Sequence, residues 1–316
     1  MERVRGRRTR RAAAQLSAQA DRRGAELLLD QLGDLGPVFD AYPDAEPSYV
    51  RGLGEIRLES SVISALGSRH PYWKVNPKRE GARFAAALGV AVPENLASAL
   101  SLDAIDFDTL PEAFVLKPAN GSTNRGVFAL RRRTDGRFDE LLTREPWSEA
   151  DVRREYTRLR DSGQVSSNVL VEELLEKPDV PEAVPDDIKV FCFYDQAALI
   201  LQRDMGGTTD PGGWRFKLWT PDFDDVGPIN WAAQYDPSLA APVAGPDIVE
   251  QALMLSRALR LPALRVDFLE TSRGPVFGEF TMTPGLPGPF TPAADRALGA
   301  HLIRARAQLA IESFAG

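Results

Sequence analysis

The sequence predicts an α+β protein with antiparallel sheets. Two observations support this fold class: short apolar strands occur as hairpins joined by turn residues, and amphipathic helices separate the hairpins. The length of 316 residues, at about 150 residues per domain, indicates two domains or one multi-lobed unit. With 43% hydrophobic and 26% charged residues, the composition is that of a globular protein and excludes a disordered or fibrous chain.

The N-terminal part of the chain predicts helices separated by loops. Alanine, leucine and charged residues follow a 3.6-residue period over residues 10–33, and this helix ends near Gly33. Residues 37–75 are rich in Pro, Tyr and Gly, which predicts loops around a short helix at about 56–66. A further helix is expected from Asn76 to Leu88.

The rest of the chain alternates hairpins and helices. Two strands, Phe114–Lys117 and Val127–Leu130, flank a tip rich in glycine and hydroxyl residues. The other predicted elements are a helix at 148–163, strands at Val169–Leu175, Ile188–Tyr194 and Ala197–Arg203, a helix at about 246–260, a hairpin of Leu264–Leu269 with Val276–Phe280, and a last helix at about 293–313.

The charge distribution bears on possible partners. The net charge is −7, but residues 1–23 carry eight arginines and two acids, so the remainder is strongly acidic. An acidic body argues against nucleic-acid binding by it. The arginine-rich start is either a solvated leading helix or a contact for RNA, an anionic lipid surface or an acidic carrier, and the sequence leaves these alternatives open.

Targeting and redox features predict a cytoplasmic protein. No stretch approaches the roughly 20 consecutive apolar residues that cross a bilayer, and the arginine-rich start has no apolar core typical of a secretory signal. One cysteine excludes an internal disulfide framework. Cys192 lies in an apolar strand, which favours a buried structural thiol. His70 and His301 have no metal-ligand spacing.

Two acids near the C-terminus form the most informative pair. Asp267 and Glu279 lie on strands joined by a tight turn, and directly opposed side chains on paired strands lie within about 5.5 Å. Mg²⁺ commonly takes one or two carboxylates and completes its shell with phosphate and water. The pair therefore indicates a divalent cation, and the alternative is two solvent-facing strand residues.

A second candidate region is the Phe114–Leu130 hairpin. Lys117 ends an apolar strand, where an unpaired ammonium would be costly. Gly121 and Ser122 begin a tip whose backbone N–H groups could hold anionic oxygens. A flexible turn with a surface lysine is the alternative, since neither Walker A spacing nor Gly-x-Gly-x-x-Gly is present.

Four ordered blocks resemble a known family. They are Phe114-Val-Leu-Lys-Pro, Val171-Glu-Glu-Leu-Leu, Pro185-Asp-Asp-Ile-Lys-Val-Phe-Cys-Phe, and Arg265-Val-Asp-Phe with Gly278-Glu-Phe-Thr-Met-Thr-Pro-Gly. Together they resemble the ATP-grasp superfamily, and within it the teichuronopeptide-biosynthesis, or TupA-like, type. The resemblance covers about residues 74–300. It implies two lobes that clamp ATP between antiparallel sheets, with a helical and loop region at 1–75, a small lobe at 76–175 and a large lobe at 176–316.

The resemblance also implies nucleotide contacts. The phosphates would meet Lys117 and the loop that begins at Gly121 and Ser122, while a hinge strand holds the adenine and an acid holds the ribose. The hinge residues are Glu172, Glu173 and Leu175, the ribose acid is Asp187, and Lys78 loosely matches a lysine that opens the fold in D-alanine ligases.

The remaining matches concern metal and catalysis. Asp267 and Glu279 match magnesium ligands, and Thr281 stands where the family usually has an asparagine ligand. A neutral hydroxyl is a poorer ligand, so this departure weakens the second metal position. Three basic residues match groups that stabilise the transition state or contact phosphate and substrate: Arg265, Arg203 and Lys189.

The function that follows from the resemblance is an ATP- and Mg²⁺-dependent ligase that joins a small-molecule carboxylate to an amine, in cell-envelope or specialised metabolism. A kinase acting on a hydroxyl and a non-catalytic ATP-binding interaction module are the alternatives. Trp214, Arg215, Lys217 and Trp219 could line the acceptor pocket or form an ordinary strand with core tryptophans. The loop 284–289 resembles one that closes the pocket in related ligases. The substrates and the oligomeric state stay open.

Overall fold

The described residues form two antiparallel sheets. The structure is a computed structural model that describes residues 19–41, 45–119, 125–178, 180, 183–205, 213–229, 234–284 and 290–315. A six-stranded sheet has the order β1-β6-β2-β3-β4-β5, and a five-stranded sheet has the order β11-β10-β7-β8-β9. We call the first sheet with its covering helix the small lobe, and the second with its helices the large lobe. The predicted α+β class with antiparallel sheets is confirmed.

The elements have the following bounds. The strands are β1 (Asn95–Ala99), β2 (Ala113–Pro118), β3 (Phe128–Arg132), β4 (Phe138–Glu140), β5 (Glu145–Trp147), β6 (Val169–Glu173), β7 (Asp186–Phe193), β8 (Gln196–Asp204), β9 (Arg215–Trp219), β10 (Leu264–Thr271) and β11 (Gly274–Thr281). The helices are α1 (19–30), α2 (Gly36–Asp40), α3 (Tyr49–Ala65), α4 (Lys78–Ala87), α5 (Glu149–Asp161), α6 (Gly245–Leu259) and α7 (Pro292–Ala315).

The small lobe has its own hydrophobic core. Alternate residues of β2 are buried, so Phe114 and Leu116 face α5 while Lys117 faces the other way. Phe107, Phe114 and Phe138 meet edge to face, with ring centroids 5.7–6.0 Å apart. A capping box at Ser148 starts α5. Because one face of β2 is packed in this core, Val115 and Lys117 on the other face point away from it.

The large lobe is built around β7. All eight residues of β7 are buried, because β8 and β10 flank the strand and helices cover the sheet. The β10–β11 hairpin has the predicted neighbouring strands, and an irregularity in its register lies between Asp267 and Phe268. Gly278 is the extra residue on β11 at this point, which makes it a β-bulge.

The predicted short helix at 56–66 is longer than expected. Helix α3 begins after Ser48, whose hydroxyl accepts a hydrogen bond from the Arg51 N–H. Gly52 lies inside α3 and serves its packing. A β-carbon there would lie 2.2 Å from the Leu302 side chain of α7, so the contact between the helices requires glycine. A β-carbon at Gly299 would lie 2.4 Å from the Ser48 nitrogen. Glycine thus allows α3 and α7 to approach closely. The prediction of loops over residues 37–75 did not take this packing role of glycine into account.

The packing of α4 bears on the lobe boundaries. Ala85 and Val90 belong to the large hydrophobic cluster, and the Gly81 position abuts Phe280 of β11. The predicted small lobe began at residue 76, whereas α4 packs with the large lobe and the small sheet begins at Asn95. The small lobe therefore interrupts the large lobe. Within the described ranges, no helix combines the length and apolar character needed to cross a bilayer.

Candidate active site

A cleft of about 690 Å³ lies between the two sheets. Twelve predicted site residues line it, from both lobes and the connection between them: Lys78, Lys117, Glu172, Glu173, Leu175, Asp187, Lys189, Arg203, Arg265, Asp267, Glu279 and Thr281. Gly121 and Ser122 fall outside the described residues. The structure therefore brings together candidates that lie up to 203 positions apart in the sequence, between 78 and 281.

Asp267 and Glu279 are directly opposed on β10 and β11. The bulge at Gly278 displaces the register beside them, and a β-carbon at Gly278 would lie 3.1 Å from the Asp267 carbonyl oxygen. A bulge re-aims the side chain that follows it. Both carboxylates accordingly line the same cleft.

The two carboxylates differ in their contacts. Asp267 is buried and accepts hydrogen bonds from Arg265, from Nε to Oδ1 at 2.6 Å and from Nη2 to Oδ2 at 2.7 Å. Lys189 donates a third hydrogen bond to Oδ2. Glu279 has a side chain 39% exposed and lies 4.0 Å from Arg265. Burial, followed by the nearby Asp267 charge, raises the pKa of Glu279 above its ordinary value. Glu279 is therefore the more available ligand.

Alternating charges cross the floor of the cleft. Arg203 pairs with Asp187, Asp187 pairs with Lys189 at 2.8 Å, Lys189 pairs with Asp267, and Asp267 pairs with Arg265. Burial opposes the ionisation of Asp187, but Lys189 and Arg203 outweigh it and lower the pKa of Asp187 to about 2. Three cations and two anions thus leave the floor positive before Glu279 is counted.

Thr281 lies beside this floor. Its hydroxyl accepts a hydrogen bond from Arg265 Nη2 at 3.1 Å. Thr281 also lies opposite Arg265 in the strand register. Thr281 therefore contacts Arg265, which in turn holds Asp267.

The small lobe contributes the opposite wall. Lys117 forms an ion pair with Glu172 of the neighbouring strand β6. Lys78, the first residue of α4, also lines the cleft. Burial and then the Lys117 charge lower the pKa of Lys78, so the two ammonium groups repel each other. An anion between them would relieve this repulsion.

The two hinge acids have different roles. The Glu94 N–H donates to Glu173 Oε1 at 2.8 Å, and Arg273 of the β10–β11 turn forms an ion pair with the same carboxylate. Glu173 therefore joins the two lobes, and both of its carboxylate oxygens already accept hydrogen bonds. Glu172 remains the hinge carboxylate that faces Lys117. The N–H of Leu175 donates to no acceptor among the described residues.

Sequence reasoning missed the apolar lining. The side chains concerned come from both sheets and the hinge: Val115, Val127, Ala129, Leu142, Val184, Leu201, Met205 and Phe268. The alternation in β2, where Val115 and Lys117 share a face, was the available signal. A flat apolar slot beside charged ends can hold a planar ring next to phosphates.

The region proposed as an acceptor pocket is divided by the structure. Trp214 lines the cleft, and its ring lies 4.4 Å from the Arg203 guanidinium carbon. Lys217 instead donates to the carbonyls of Pro237 at 2.8 Å and Leu239 at 2.9 Å, and Trp219 donates to Gln202 at 2.9 Å. For Lys217 and Trp219, which do not line the cleft, these contacts favour the second of the two alternatives, an ordinary strand with a core tryptophan. Arg215 forms ion pairs with Asp204 and Asp236.

The cysteine and the histidines have structural roles. Cys192 is buried, and burial raises the pKa of its thiol to about 12. His301 is buried, with Nε2 2.8 Å from the Leu28 carbonyl. The His70 ring accepts from the Tyr72 N–H at 3.3 Å. Across the described part of the chain, no three His, Cys, Asp or Glu side chains cluster as a metal site. The prediction that Cys192 is a buried thiol is confirmed.

Two antiparallel lobes around a charged cleft define an ATP-grasp protein. The chain belongs to the TupA-like ATP-grasp family, whose family model matches residues 59–303. This match confirms the resemblance drawn from the four sequence blocks.

Three solved structures are similar to the chain at low sequence identity. D-alanine–D-alanine ligase from Bacillus anthracis complexed with ATP is 13% identical, with a TM-score of 0.46 and coverage of 80% of this chain and 73% of that one. VanG D-Ala:D-Ser ligase from Enterococcus faecalis is 14% identical, with a TM-score of 0.47 and coverage of 77% and 64%. The ATP-grasp ligase PsnB complexed with a minimal precursor is 15% identical, with a TM-score of 0.42 and coverage of 82% and 73%. No curated protein matches the chain.

Proposed function

We propose that this protein is an ATP- and Mg²⁺-dependent ligase that joins a small-molecule carboxylate to an amine. The observation that carries the proposal is one cleft between the two lobes. Basic and acidic residues that match the family's motifs line it and surround an apolar slot. The amine class is an amino acid or small peptide, and the pathway is cell-envelope or specialised-metabolite biosynthesis. The cytoplasm, where ATP is available and a lone thiol stays reduced, is the compartment we propose.

The polar groups of the cleft fit a nucleotide. The Leu175 N–H donates a hydrogen bond to none of the described residues. This N–H and the Glu172 carboxylate would face the edge of an adenine held in the apolar slot. Lys78 and Lys117 would meet the phosphates, since both line the cleft and their like charges favour an anion beside them. The proposed loop contacts of Gly121 and Ser122 would add backbone donors.

The donor set also fits Mg²⁺. Glu279 has a partly open carboxylate, while three of the roughly four acceptor positions of Asp267 are already used by Arg265 and Lys189. Mg²⁺ keeps water and phosphate in its shell and needs only one or two carboxylates. We therefore propose Glu279 as the principal ligand, Asp267 as a second, and Thr281 as a contact through water. The ion would neutralise phosphate charge.

The side chains of the floor would then supply positioning and charge neutralisation. Phosphoryl transfer requires mainly these two contributions. The substrate carboxylate oxygen would accept a phosphoryl group, which yields an acyl phosphate and ADP. The amine would then attack the acyl carbon and release phosphate. Arg265 and Lys189 would stabilise the transferred charge, and Arg203 would contact phosphate or the acceptor.

The test is product formation with a panel of substrates. Purified protein with ATP, Mg²⁺ and pairs of carboxylates and amino acids should release ADP and phosphate, and the product mass should equal both substrates minus water. Lys117→Met should abolish this release, whereas Lys74→Met, an exposed lysine outside the cleft, should not. Addition of phosphate to one substrate would identify a kinase instead. Nucleotide binding without any release would favour the interaction module.

A further inference from the structure

Glu140 is a buried carboxylate that does not itself line the cleft. It is the last residue of β4, and it is 1% exposed. Among the described residues, no lysine, arginine or histidine forms an ion pair with it. A buried carboxylate without a cation is costly unless hydrogen bonds compensate its lost hydration. The hydrogen bonds of Glu140 therefore indicate its role in the fold.

Three backbone N–H groups donate to this carboxylate. Oε1 accepts from Ala129 at 3.0 Å and from Leu142 at 3.3 Å, and Oε2 accepts from Thr143 at 2.7 Å. The register of β3 with β4 ends at the pair of Leu130 with Glu140, so the Ala129 N–H lies beyond the last pair. The carboxylate supplies the acceptor that a longer β4 would have supplied. Burial raises the pKa of Glu140, and hydrogen bonds from Thr143, Ala129 and Leu142 oppose this rise.

The same carboxylate holds the turn between β4 and β5 against β3. Residues 141–144 form this turn, and Arg144 has a φ of 60°, in the left-handed region that needs support from its surroundings. The Leu141 N–H donates to the Ala129 carbonyl at 2.8 Å. Without the Glu140 carboxylate, three buried N–H groups would lose their acceptor, and such groups are costly to leave unpaired. The turn would then move relative to β3.

Two of the three donor residues carry side chains of the cleft. Ala129 and Leu142 line it, each 2% exposed, and both belong to the large hydrophobic cluster. The next residue of β3, Leu130, belongs instead to the small-lobe core. Ala129 pairs with Val115 of β2, which also lines the cleft. These three apolar side chains form part of the small-lobe wall of the slot, and Glu140 holds the backbone of two of them.

We propose that Glu140 is a positioning residue that fixes Ala129 and Leu142 as a wall of the slot against the nucleotide base. It acts through the backbone of these two residues, because its own side chain is not part of the cleft lining. The inference rests on the proposed function, since it takes the slot to hold the adenine of ATP. The phosphate end of the cleft, at Lys117 and Glu279, should not depend on Glu140.

The first test measures nucleotide binding and needs no acceptor substrate. Calorimetry with Mg²⁺ gives the affinity of wild type and Glu140→Gln for β,γ-imido-ATP and for ADP. The amide keeps the size of the side chain but replaces one acceptor with a donor, so we expect both affinities to fall by about tenfold. The ratio of the two affinities should stay within about twofold of wild type, because only the wall at the base moves. Unchanged affinities, or a changed ratio, would overturn the proposal.

A double-mutant cycle shows whether Glu140 acts through Leu142. Leu142→Ala leaves the carboxylate in place and removes the side chain that it positions. The loss of β,γ-imido-ATP affinity in the double variant should be smaller than the product of the two single losses by about threefold or more. Losses that multiply would mean that the two residues act independently, which contradicts the proposal.

The matched control is Asp139→Asn, one residue earlier on β4. The Asp139 carboxylate is 49% exposed and forms an ion pair with Arg133. Its loss should leave the affinity for β,γ-imido-ATP within about twofold of wild type, because an exposed pair contributes little. A loss as large as that of Glu140→Gln would show a general effect of charge on β4 and would refute the specific role of Glu140.

A variant that keeps the charge guards against misfolding. Urea unfolding followed by circular dichroism gives the folded fraction of each protein. Glu140→Asp has a shorter side chain, so it should fold and lose less affinity than Glu140→Gln. If Glu140→Gln does not fold, Glu140→Asp takes its place in the cycle with Leu142→Ala, and the same criterion decides.

Turnover separates this role from the ligase proposal. With an acceptor pair found for the ligase, Glu140→Gln should raise the KM for ATP by about tenfold and change kcat by less than about twofold. A loss confined to kcat would contradict a role in holding the base. If no acceptor pair is turned over, the ligase proposal fails, while the binding measurements still decide the role of Glu140.

Discussion

Glu279 and Asp267 face each other across two strands but should respond differently to loss of charge. Glu279→Gln removes a carboxylate that is 39% exposed and 4.0 Å from its nearest cation. An exposed pair contributes at most about 1 kcal/mol, so the free energy of unfolding should change by less than that. Asp267→Asn deprives buried Arg265 and Lys189 of their shared partner, and breaking such a buried pair costs about 3–5 kcal/mol.

The effect on turnover should be large in both variants. A bound Mg²⁺ supplies several kcal/mol of charge stabilisation, so loss of a ligand should lower ATP turnover by about 100-fold or more. Urea unfolding gives the stability, and ADP release over a range of Mg²⁺ concentrations gives the activity. The reasoning is refuted if Glu279→Gln turns over like wild type at the same Mg²⁺ concentration. Equal stability of the two variants would also refute it.

Three further predictions concern stability. Burial lowers the pKa of His301 to about 4, below its unfolded value near 6.5, so the stability present above pH 6.5 should fall by about 2 kcal/mol between pH 7 and pH 5. Urea unfolding at a series of pH values should show a smaller slope in His301→Gln than in wild type, and the slope that remains includes His70, whose pKa burial also lowers. Phe114→Ala, which empties a fully buried site between two other rings, should cost about 3–5 kcal/mol in urea unfolding, and a loss below 1 kcal/mol would contradict the packing account. Arg273→Ala and Glu173→Gln should show a coupling energy below about 1 kcal/mol in a double-mutant cycle, since Arg273 is 49% exposed, and a larger coupling would show a buried contact.

The sequence predicts the strands that carry the site because their turns are short. Asp267 and Glu279 could be placed opposite each other from one hairpin turn, and the register has them so. The pairing of β2 with β3 follows instead from two apolar strands on either side of a tip rich in glycine and hydroxyl residues. Local patterns sufficed where the partner strand is the next strand along the chain.

Other features depend on contacts between distant segments. The helix α3 was predicted too short because its glycines resemble helix breakers, yet Gly52 is required by Leu302, far along the chain. The strands β4 and β5 have three residues each, too few for an alternating pattern. The contacts of Glu173 with Arg273 and of Lys217 with two carbonyls also join residues that no local pattern connects.

The two ends of the small lobe lie side by side. The Glu94 N–H donates to the Glu173 carboxylate, and the Glu173 N–H donates in return to the Glu94 carbonyl at 3.0 Å. The chain thus leaves the large lobe near Glu94 and re-enters it near Glu173, and these two segments are adjacent. Because both chain connections meet at one place, opening of the cleft should be a rotation about these two glutamates rather than a sliding movement, and it should separate Ala129 and Leu142 from the large hydrophobic cluster.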